Sequence, residues 1–189
     1  MIILSIGTNI GDRERNIENA VKALGEIGKV GAVSPIYTSE PWGFESENGF
    51  YNIALTLESE LSPLDLLRET QRIEKELGRT TKTTTEYADR VIDIDIIDCD
   101  GQIITISQQS SVNSQQQNVW TQRVVSDDPM GQNNSQLSIL TLPHPLMHLR
   151  NFVLYPLADI APEWIHPILK LTAQELKAKS EDKSIPHKK

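Results

Sequence analysis

Cysteine is almost missing from this chain of 189 residues, in which Cys99 stands alone. A single cysteine excludes a disulfide framework and fits a reducing compartment, with a small buried side chain as its expected role. Basic residues are also scarce, since 18 Lys and Arg face 26 Asp and Glu and leave a net charge of −8. This balance argues against general nucleic-acid binding, which needs a basic face. It still allows a small anionic substrate held by a few arginines.

Long apolar runs are missing too, because no stretch approaches the roughly 20 residues that a membrane-spanning helix needs. The N-terminal segment lacks the basic start and cleavage site of a signal peptide. We therefore expect a cytoplasmic protein with no membrane partner, and a monomer. The length favours one domain, expected over residues 1–180, which can bury roughly 70% of its unfolded surface without metal or disulfide.

Hydrophobic periodicity predicts the order β-α-β-β-α-β in the first half of the chain. The strands are expected at 2–6, 32–38, 51–58 and 90–97, and the helices at 12–27 and 63–77. This order is the split βαβ arrangement, so the sequence predicts an α+β fold with a ferredoxin-like sheet and packed helices.

Beyond the last of these strands the composition changes abruptly. Between Ser107 and Ser138, 19 of 32 residues are Ser, Gln or Asn. Such a segment cannot bury enough apolar surface to offset its ordering entropy. We interpret residues 107–138 as a polar insertion that stretches the loop of one hairpin, with arms at 102–106 and 140–142. The charged residues 181–189 are expected to form a flexible tail.

The sharpest chemical feature is the pair Asp93 and Asp95 within an isoleucine-rich strand. On a strand, residues two apart share one face about 6.6 Å apart, so Ile92, Ile94 and Ile96 would face the core. Two ionised carboxylates at that distance repel by about 2–3 kcal/mol at an effective dielectric constant near 20. A divalent cation such as magnesium is a natural compensation. The alternative is a solvated edge strand with two aspartates that bind nothing.

Three arginines strengthen the magnesium interpretation. Arg79, Arg90 and Arg150 lie close in sequence to the aspartates or to His144, and guanidinium groups suit phosphate oxygens. Arginines around a carboxylate pair favour a nucleotide polyphosphate bridged by magnesium. Neither a P-loop nor a Gly-x-Gly-x-x-Gly turn is present, so any ATP site must be built differently. His144, between two prolines, is expected to donate a hydrogen bond to a phosphate.

Two phenylalanines border the segments around this pattern. Phe50 and Phe152 are normally core residues, but in loop margins they could clamp a flat ring. Asn52 could read the edge of such a ring, because its amide both donates and accepts hydrogen bonds.

Taken together, these segments resemble the 6-hydroxymethyl-7,8-dihydropterin pyrophosphokinase family of folate biosynthesis. The resemblance is carried by Ser-Ile-Gly-Thr-Asn-Ile-Gly-Asp at 5–12, Phe-Tyr-Asn at 50–52, Gln-Arg-Ile-Glu-Lys-Glu-Leu-Gly-Arg at 71–79, Asp-Arg-Val-Ile-Asp-Ile-Asp-Ile at 89–96 and Leu-Pro-His-Pro at 142–145. It implies αβα layers, an extra C-terminal hairpin and helices, and transfer of pyrophosphate from ATP to the pterin hydroxymethyl group with release of AMP.

The resemblance also implies a role for each matching residue. Asp93 and Asp95 would hold two magnesium ions, and would form the catalytic set with Arg79 and Arg90. The residues expected around ATP are Gln71, Glu74, Arg79, Arg90, Ile96, Thr141, His144 and Arg150. Those expected around the pterin are Thr8, Ser39, Glu40, Pro41, Trp42, Gly43, Phe50, Asn52, Asp93 and Phe152.

Three departures from the family pattern stand near Arg90. Thr80 and Thr81 follow Arg79 where a second basic residue is usual, with Lys82 as a possible substitute. Tyr87 stands where tryptophan is common, and residues 88–89 are Ala-Asp where Gly-Pro is usual.

The alternative function is a non-catalytic ferredoxin-like module that binds RNA or a protein partner, which the acidic balance argues against.

Overall fold

The computed structural model describes residues 1–79, 88–108, 120–124 and 138–189. Four α-helices, nine strands and one 3₁₀ helix follow one another in the described residues. In chain order they are β1 (Ile2–Thr8), α1 (Arg13–Leu24), β2 (Lys29–Val33), β3 (Tyr37–Ser39), β4 (Phe50–Glu58), α2 (Pro63–Glu76), β5 (Asp93–Cys99), β6 (Ile104–Gln108), β7 (Trp120–Val124), β8 (Ser138–Leu142), the 3₁₀ helix (Met147–Leu149), α3 (Asn151–Ile160), α4 (Ala173–Lys179) and β9 (His187–Lys188).

The main sheet has the strand order β5-β1-β4-β3-β9, and β2 also pairs with β4. All of these pairings are antiparallel. With α1 and α2 as crossovers, this is the ferredoxin-like arrangement, so the predicted fold class is confirmed. The prediction of one continuous strand at 32–38 is wrong, because the structure has two strands there, β2 and β3. Pro35 has no backbone N–H to donate, which interrupts the ladder there.

Two apolar layers cover the two faces of the sheet. Leu4 and Ile6 pack with α1 and α2 on one face, while Ile3 and Ile97 pack with α3 and α4 on the other. The αβα layering expected from the resemblance is therefore confirmed. Helix α1 ends at Leu24 rather than at residue 27, because the chain tightens into a turn after Gly25.

A second sheet contains the predicted hairpin. β6 pairs with β8 from Ile104–Leu142 to Ser107–Ser138, which agrees with the arms predicted at 102–106 and 140–142. β7 adds a third strand, on the other edge of β6, that the polar composition did not predict. The rest of the predicted insertion, residues 109–119 and 125–137, lies outside the described residues.

The C-terminal segment differs from the expected flexible tail. Asn151 donates from Nδ2 to the carbonyl oxygens of Asp182, at 2.8 Å, and Ser184, at 2.6 Å. β9 then pairs with β3, and Lys188 contacts the Asp159 carboxylate at 2.8 Å. The backbone N–H and C=O groups at the edge of β3 form hydrogen bonds with the last residues of the chain. Among the described residues, no helix has the length and apolar character needed to cross a bilayer.

Candidate active site

A cleft opens on the α3 face of the sheet, where three adjacent strands contribute side chains. The register explains the convergence, because Gly7 of β1 lies opposite both Asn52 of β4 and Asp93 of β5, and Ser5 lies opposite Asp95. The lining residues are Ser5, Gly7, Ser39, Glu40, Trp42, Phe44, Phe50, Asn52, Arg90, Asp93, Asp95, Arg150 and Phe152.

Asn52 lies at the floor of the cleft and is 2% exposed. Its Nδ2 donates to Ser39 Oγ at 2.9 Å. Gly7 leaves room for that amide, since an added Cβ would lie 3.2 Å from Asn52 Oδ1. The sequence predictions missed Gly7, Ser5 and Phe44 as lining residues. The period-two alternation of β1 was the available signal, because it puts Ser5 and Gly7 on one face.

An ion-pair network surrounds Asp93. Arg79 Nη1 contacts Asp93 Oδ1, and Arg90 Nη1 donates to Asp93 Oδ2 at 2.6 Å. Glu74 is 3% exposed, and its Oε1 accepts from Arg79 at 2.5 Å and from the Ile94 backbone N–H at 2.8 Å. Burial lowers the pKa of Arg79, but the charges of Asp93 and Glu74 outweigh it and leave that pKa raised. The Arg79 guanidinium is therefore cationic beside Asp93.

Aromatic rings form the opposite part of the cleft wall. The Arg150 guanidinium lies 4.6 Å from the centroid of the Trp42 ring and 5.7 Å from that of Phe152, within cation–π distance. Phe44 and Phe50 meet edge to face with centroids 6.2 Å apart. The cleft thus joins an aromatic surface to a charged one, as a ligand with a flat ring and an anionic group requires.

The acidic pair offers oxygen ligands of the kind that bind magnesium. Asp93 and Asp95 both line the cleft and are half-buried. Within the described ranges, no group of three or more His, Cys, Asp or Glu side chains could form an all-protein metal site. Magnesium is often bound by one or two carboxylates together with substrate phosphates, so the residues present fit it.

His144 follows the second sheet and is held by its backbone neighbours. Its N–H donates to the Ile97 carbonyl at 2.9 Å, and its Nδ1 accepts from the Leu146 N–H at 3.2 Å. Because Nδ1 accepts, the proton of the neutral ring is on Nε2. Burial, together with the charge of Arg150, lowers the pKa of His144 to about 4. At neutral pH the imidazole is therefore an uncharged Nε2–H donor.

We expect the His144 ring to titrate near 4 and to carry its proton on Nε2 at neutral pH, as measured by long-range ¹H–¹⁵N NMR. The folded state then binds fewer protons than the unfolded state between about 4 and the ordinary value of 6.5, so the free energy of unfolding falls as pH falls through that window. His144→Gln should assign the NMR signal and reduce this loss of stability in urea titrations. A ring that titrates at its ordinary value would contradict the assignment.

Most of the predicted site residues meet at the cleft. Ser39, Glu40, Trp42, Phe50, Asn52, Arg90, Asp93, Asp95, Arg150 and Phe152 line it. Arg79 reaches it through its contact with Asp93, and Glu74 reaches it through its contact with Arg79.

Other predicted residues do not line it. The side chain of Ile96 lies in the core on the opposite face, as strand alternation requires, and Gln71 is exposed on α2. Thr8 is buried and accepts from Asn16 Nδ2 at 3.2 Å, while Thr141 pairs with Thr105 in the second sheet. Two further residues expected around the pterin, Pro41 and Gly43, are absent from the lining, although they belong to the loop that contributes Trp42. Residues 80–87, which include Lys82 and Tyr87, lie outside the described residues.

Known proteins resemble the chain over most of its length. The model of the 7,8-dihydro-6-hydroxymethylpterin-pyrophosphokinase (HPPK) family matches residues 3–162. A 2-amino-4-hydroxy-6-hydroxymethyldihydropteridine pyrophosphokinase of Porphyromonas gingivalis is 39% identical over 169 residues, covering 88% of this chain and 94% of the relative. The Aquifex aeolicus protein of the same name is 31% identical over 93% of this chain and 89% of its own length.

Longer proteins match it as well. The folic acid synthesis protein FOL1 of Dictyostelium discoideum is 36% identical over 94% of this chain and 22% of its own length. A solved HPPK-DHPS chain in complex with substrates has a TM-score of 0.64 at 17% identity, over 94% of this chain and 42% of that chain. The wild-type Plasmodium falciparum HPPK-DHPS with STZ-DHP has a TM-score of 0.66 at 17% identity, with the same coverages. This chain spans less than half of those solved chains, and the likeness shows the fold.

The family match over residues 3–162 and the 39% identity across nearly all of the Porphyromonas gingivalis relative agree with the cleft described above. The chain belongs to the 7,8-dihydro-6-hydroxymethylpterin-pyrophosphokinase family.

Proposed function

We propose that this cleft transfers the pyrophosphoryl group of ATP to the hydroxymethyl oxygen of 6-hydroxymethyl-7,8-dihydropterin, a step of folate biosynthesis that releases AMP. The observation that carries the proposal is the meeting, in one cleft, of two carboxylates and their arginines with aromatic side chains and Asn52. The charged side suits a triphosphate, and the aromatic side suits a pterin.

The pterin is assigned to the aromatic side of the cleft. Phe50 of β4 and Phe152 of α3 both line it, so a flat ring bound there contacts an aromatic surface from the sheet and another from the helix. Asn52 Nδ2 is already engaged with Ser39, which leaves Oδ1 to accept from a ring N–H. The loop that carries Glu40 and Trp42 completes this side of the pocket.

The triphosphate is assigned to the charged side. Arg79 and Arg90 are within reach of Asp93, and Arg150 lines the same cleft, so three guanidinium groups can neutralise phosphate oxygens. His144 is not among the lining residues, and we assign it to this side as an uncharged Nε2–H donor because the charges of Arg150 and Asp93 act on its ring. Glu74 acts through Arg79, which it orients. The ATP contacts expected of Gln71, Ile96 and Thr141 stay predictions from the resemblance.

Asp93 and Asp95 would hold magnesium, two ions if the resemblance carries over. When bound, the metal polarises the phosphoryl oxygens and neutralises charge that develops between them. The chain itself orients the hydroxymethyl oxygen toward the β-phosphorus and holds guanidinium groups against the phosphates. A new bond forms from that oxygen to the β-phosphorus while the bond to the α-phosphate oxygen breaks, and the hydroxyl proton is released. Positioning and electrostatics supply most of such catalysis.

A coupled assay for AMP release tests the proposed activity. With ATP, magnesium and the hydroxymethyl dihydropterin, we expect AMP and pterin diphosphate in equal amounts, and no AMP when the pterin or magnesium is omitted. AMP formation without the pterin, or none with all three, would refute it.

The non-catalytic RNA-binding alternative is not favoured, and retention of polyanionic RNA by the protein at moderate salt would revive it.

We also propose that the protein works in the cytoplasm as a monomer. The single buried cysteine, whose pKa burial raises to about 11, supports a thiol that stays reduced and unreactive. The substrates are small molecules, and a net charge of −8 supports the absence of a nucleic-acid partner. Sedimentation equilibrium that yields twice the monomer mass would contradict the oligomeric part.

A further inference from the structure

Asp89, which stands where the family pattern has proline, joins two loops at the cleft. Its Oδ1 accepts from Asn9 Nδ2 at 2.6 Å, and its Oδ2 accepts from Asn48 Nδ2 at 2.9 Å. Hydrogen bonds from Ser46 and Asn48 hold the pKa of Asp89 below its usual range, so the carboxylate is ionised at neutral pH. We call the side chains of Asn9, Asn48 and Asp89 the Asp89 bridge. A proline could form neither side-chain bond.

Asn9, the buried member of the Asp89 bridge, also connects the same segments by hydrogen bonds to their backbone. Asn9 is 2% exposed, and its Oδ1 accepts from the Arg90 N–H at 2.7 Å. Its own N–H donates to the Arg90 carbonyl at 3.1 Å, and its Nδ2 also donates to the Asn48 carbonyl at 3.2 Å. The loop after β1 therefore holds the loop before β4 and the residues just before β5 in one arrangement.

Each of the two joined segments carries a side chain of the cleft. The loop between β3 and β4 carries Trp42 and Phe44, which line the aromatic side. Directly after Asp89, Arg90 donates to Asp93 at 2.6 Å on the charged side. A displacement of either segment must therefore stretch or break the bridge.

We propose that Asp89 is a positioning residue that couples the two substrate subsites, an inference that rests on the proposed function. A ligand that orders the loop between β3 and β4 also orders the segment of Arg90 through the bridge. The second ligand then meets a segment that is already ordered, so less conformational entropy is lost when it binds. The two substrates bind cooperatively as a result.

Calorimetry on the full chain tests the coupling. The pterin substrate is titrated with and without magnesium and an ATP analogue whose α,β-bridging oxygen is a methylene, which prevents transfer. We expect the analogue to tighten pterin binding at least ~5-fold, and the pterin to tighten analogue binding by the same factor. Asp89→Ala should reduce both factors to less than ~2-fold while the affinity for the analogue alone stays within ~2-fold.

A side-chain exchange provides the matched control. In Asn48→Asp, two carboxylates face each other where residues 48 and 89 were hydrogen-bonded, so this variant should lose the coupling. In the double variant with Asp89→Asn, Asn at 89 can still accept from Asn9 and can donate to Asp at 48, so the coupling should return. Asp89→Asn alone should keep the coupling, because the Asn48 amide can turn and accept from Asn at 89. A change in folding alone would shift the urea midpoint of unfolding and leave the coupling factor unchanged.

Three results would overturn the inference. They are a wild-type protein without coupling, an unchanged coupling factor in Asp89→Ala, and a double variant with no more coupling than Asn48→Asp. If the wild-type protein binds neither ligand, the proposed function fails as well. If the wild-type protein binds both ligands and Asp89→Ala keeps the same coupling factor, only the role of Asp89 is refuted.

Discussion

Asp95→Asn is expected to lower the turnover of AMP release at least ~1,000-fold without loss of the fold, because an amide is a weak ligand for magnesium and cannot neutralise its charge. Asp95 lines the cleft, and Ile94 and Ile96 on either side of it are in the core, so the substitution removes charge without creating a cavity. Asp93→Asn should show a loss of similar size, and should also weaken the contacts of Arg79 and Arg90.

Asp98→Asn is the matched control on the same strand. Asp98 is buried away from the cleft, where its Oδ2 accepts from the Gly101 N–H at 2.9 Å and from Trp164 Nε1 at 3.3 Å. Burial raises the pKa of this carboxyl. Because Asp98 is not among the cleft residues, loss of its charge should leave turnover within ~2-fold of wild type, in the range of substitutions outside the site. Circular dichroism checks the folding of all three variants. Near-normal turnover by Asp95→Asn would refute the metal assignment.

Phe152→Ala is expected to weaken pterin binding ~10- to 100-fold while the Kd for ATP changes less than ~2-fold. Burial of an aromatic side chain against a ligand is worth about 1.5–3 kcal/mol, which sets this range. Phe152 lines the cleft from α3, whereas Arg79, Arg90 and His144 of the assigned triphosphate groups lie on other elements. Arg150 stands directly before α3, and its guanidinium lies 5.7 Å from the centroid of the Phe152 ring. Separate titrations of the pterin and of ATP, each followed by calorimetry, measure the two effects.

Tyr155→Ala tests whether the effect belongs to the cleft or to the helix. Tyr155 lies one turn further along α3 and meets Tyr37 edge to face, with centroids 6.2 Å apart, and it is not among the cleft residues. We expect this variant to lose stability with little change in pterin affinity. Equal losses of pterin and ATP binding in Phe152→Ala would indicate that the substitution distorts α3, and would contradict the assigned pterin contact.

Local sequence patterns determined the elements and their order. Period-two alternation around Asp93 and Asp95 placed both carboxylates on one face, and helical spacing located α1 and α2, because these periodicities follow from backbone geometry alone. The same alternation puts the side chain of Ile96 on the core face, where the structure has it. Pro35 likewise carried the signal for the break between β2 and β3.

Only the tertiary structure decided which groups meet. Arg79, which follows α2, and Arg90, which precedes β5, come to Asp93 from two separate segments, and the acceptor role of His144 Nδ1 depends on the turn at Leu146. The pairing of β9 with β3 and the Asp89 bridge join residues far apart in the chain. Such contacts depend on strand register and loop closure between distant segments, which periodicity within one segment does not contain. The sequence by itself therefore determined the fold class and the acidic pair, whereas the cation partners of that pair and the links between the loops required the folded chain.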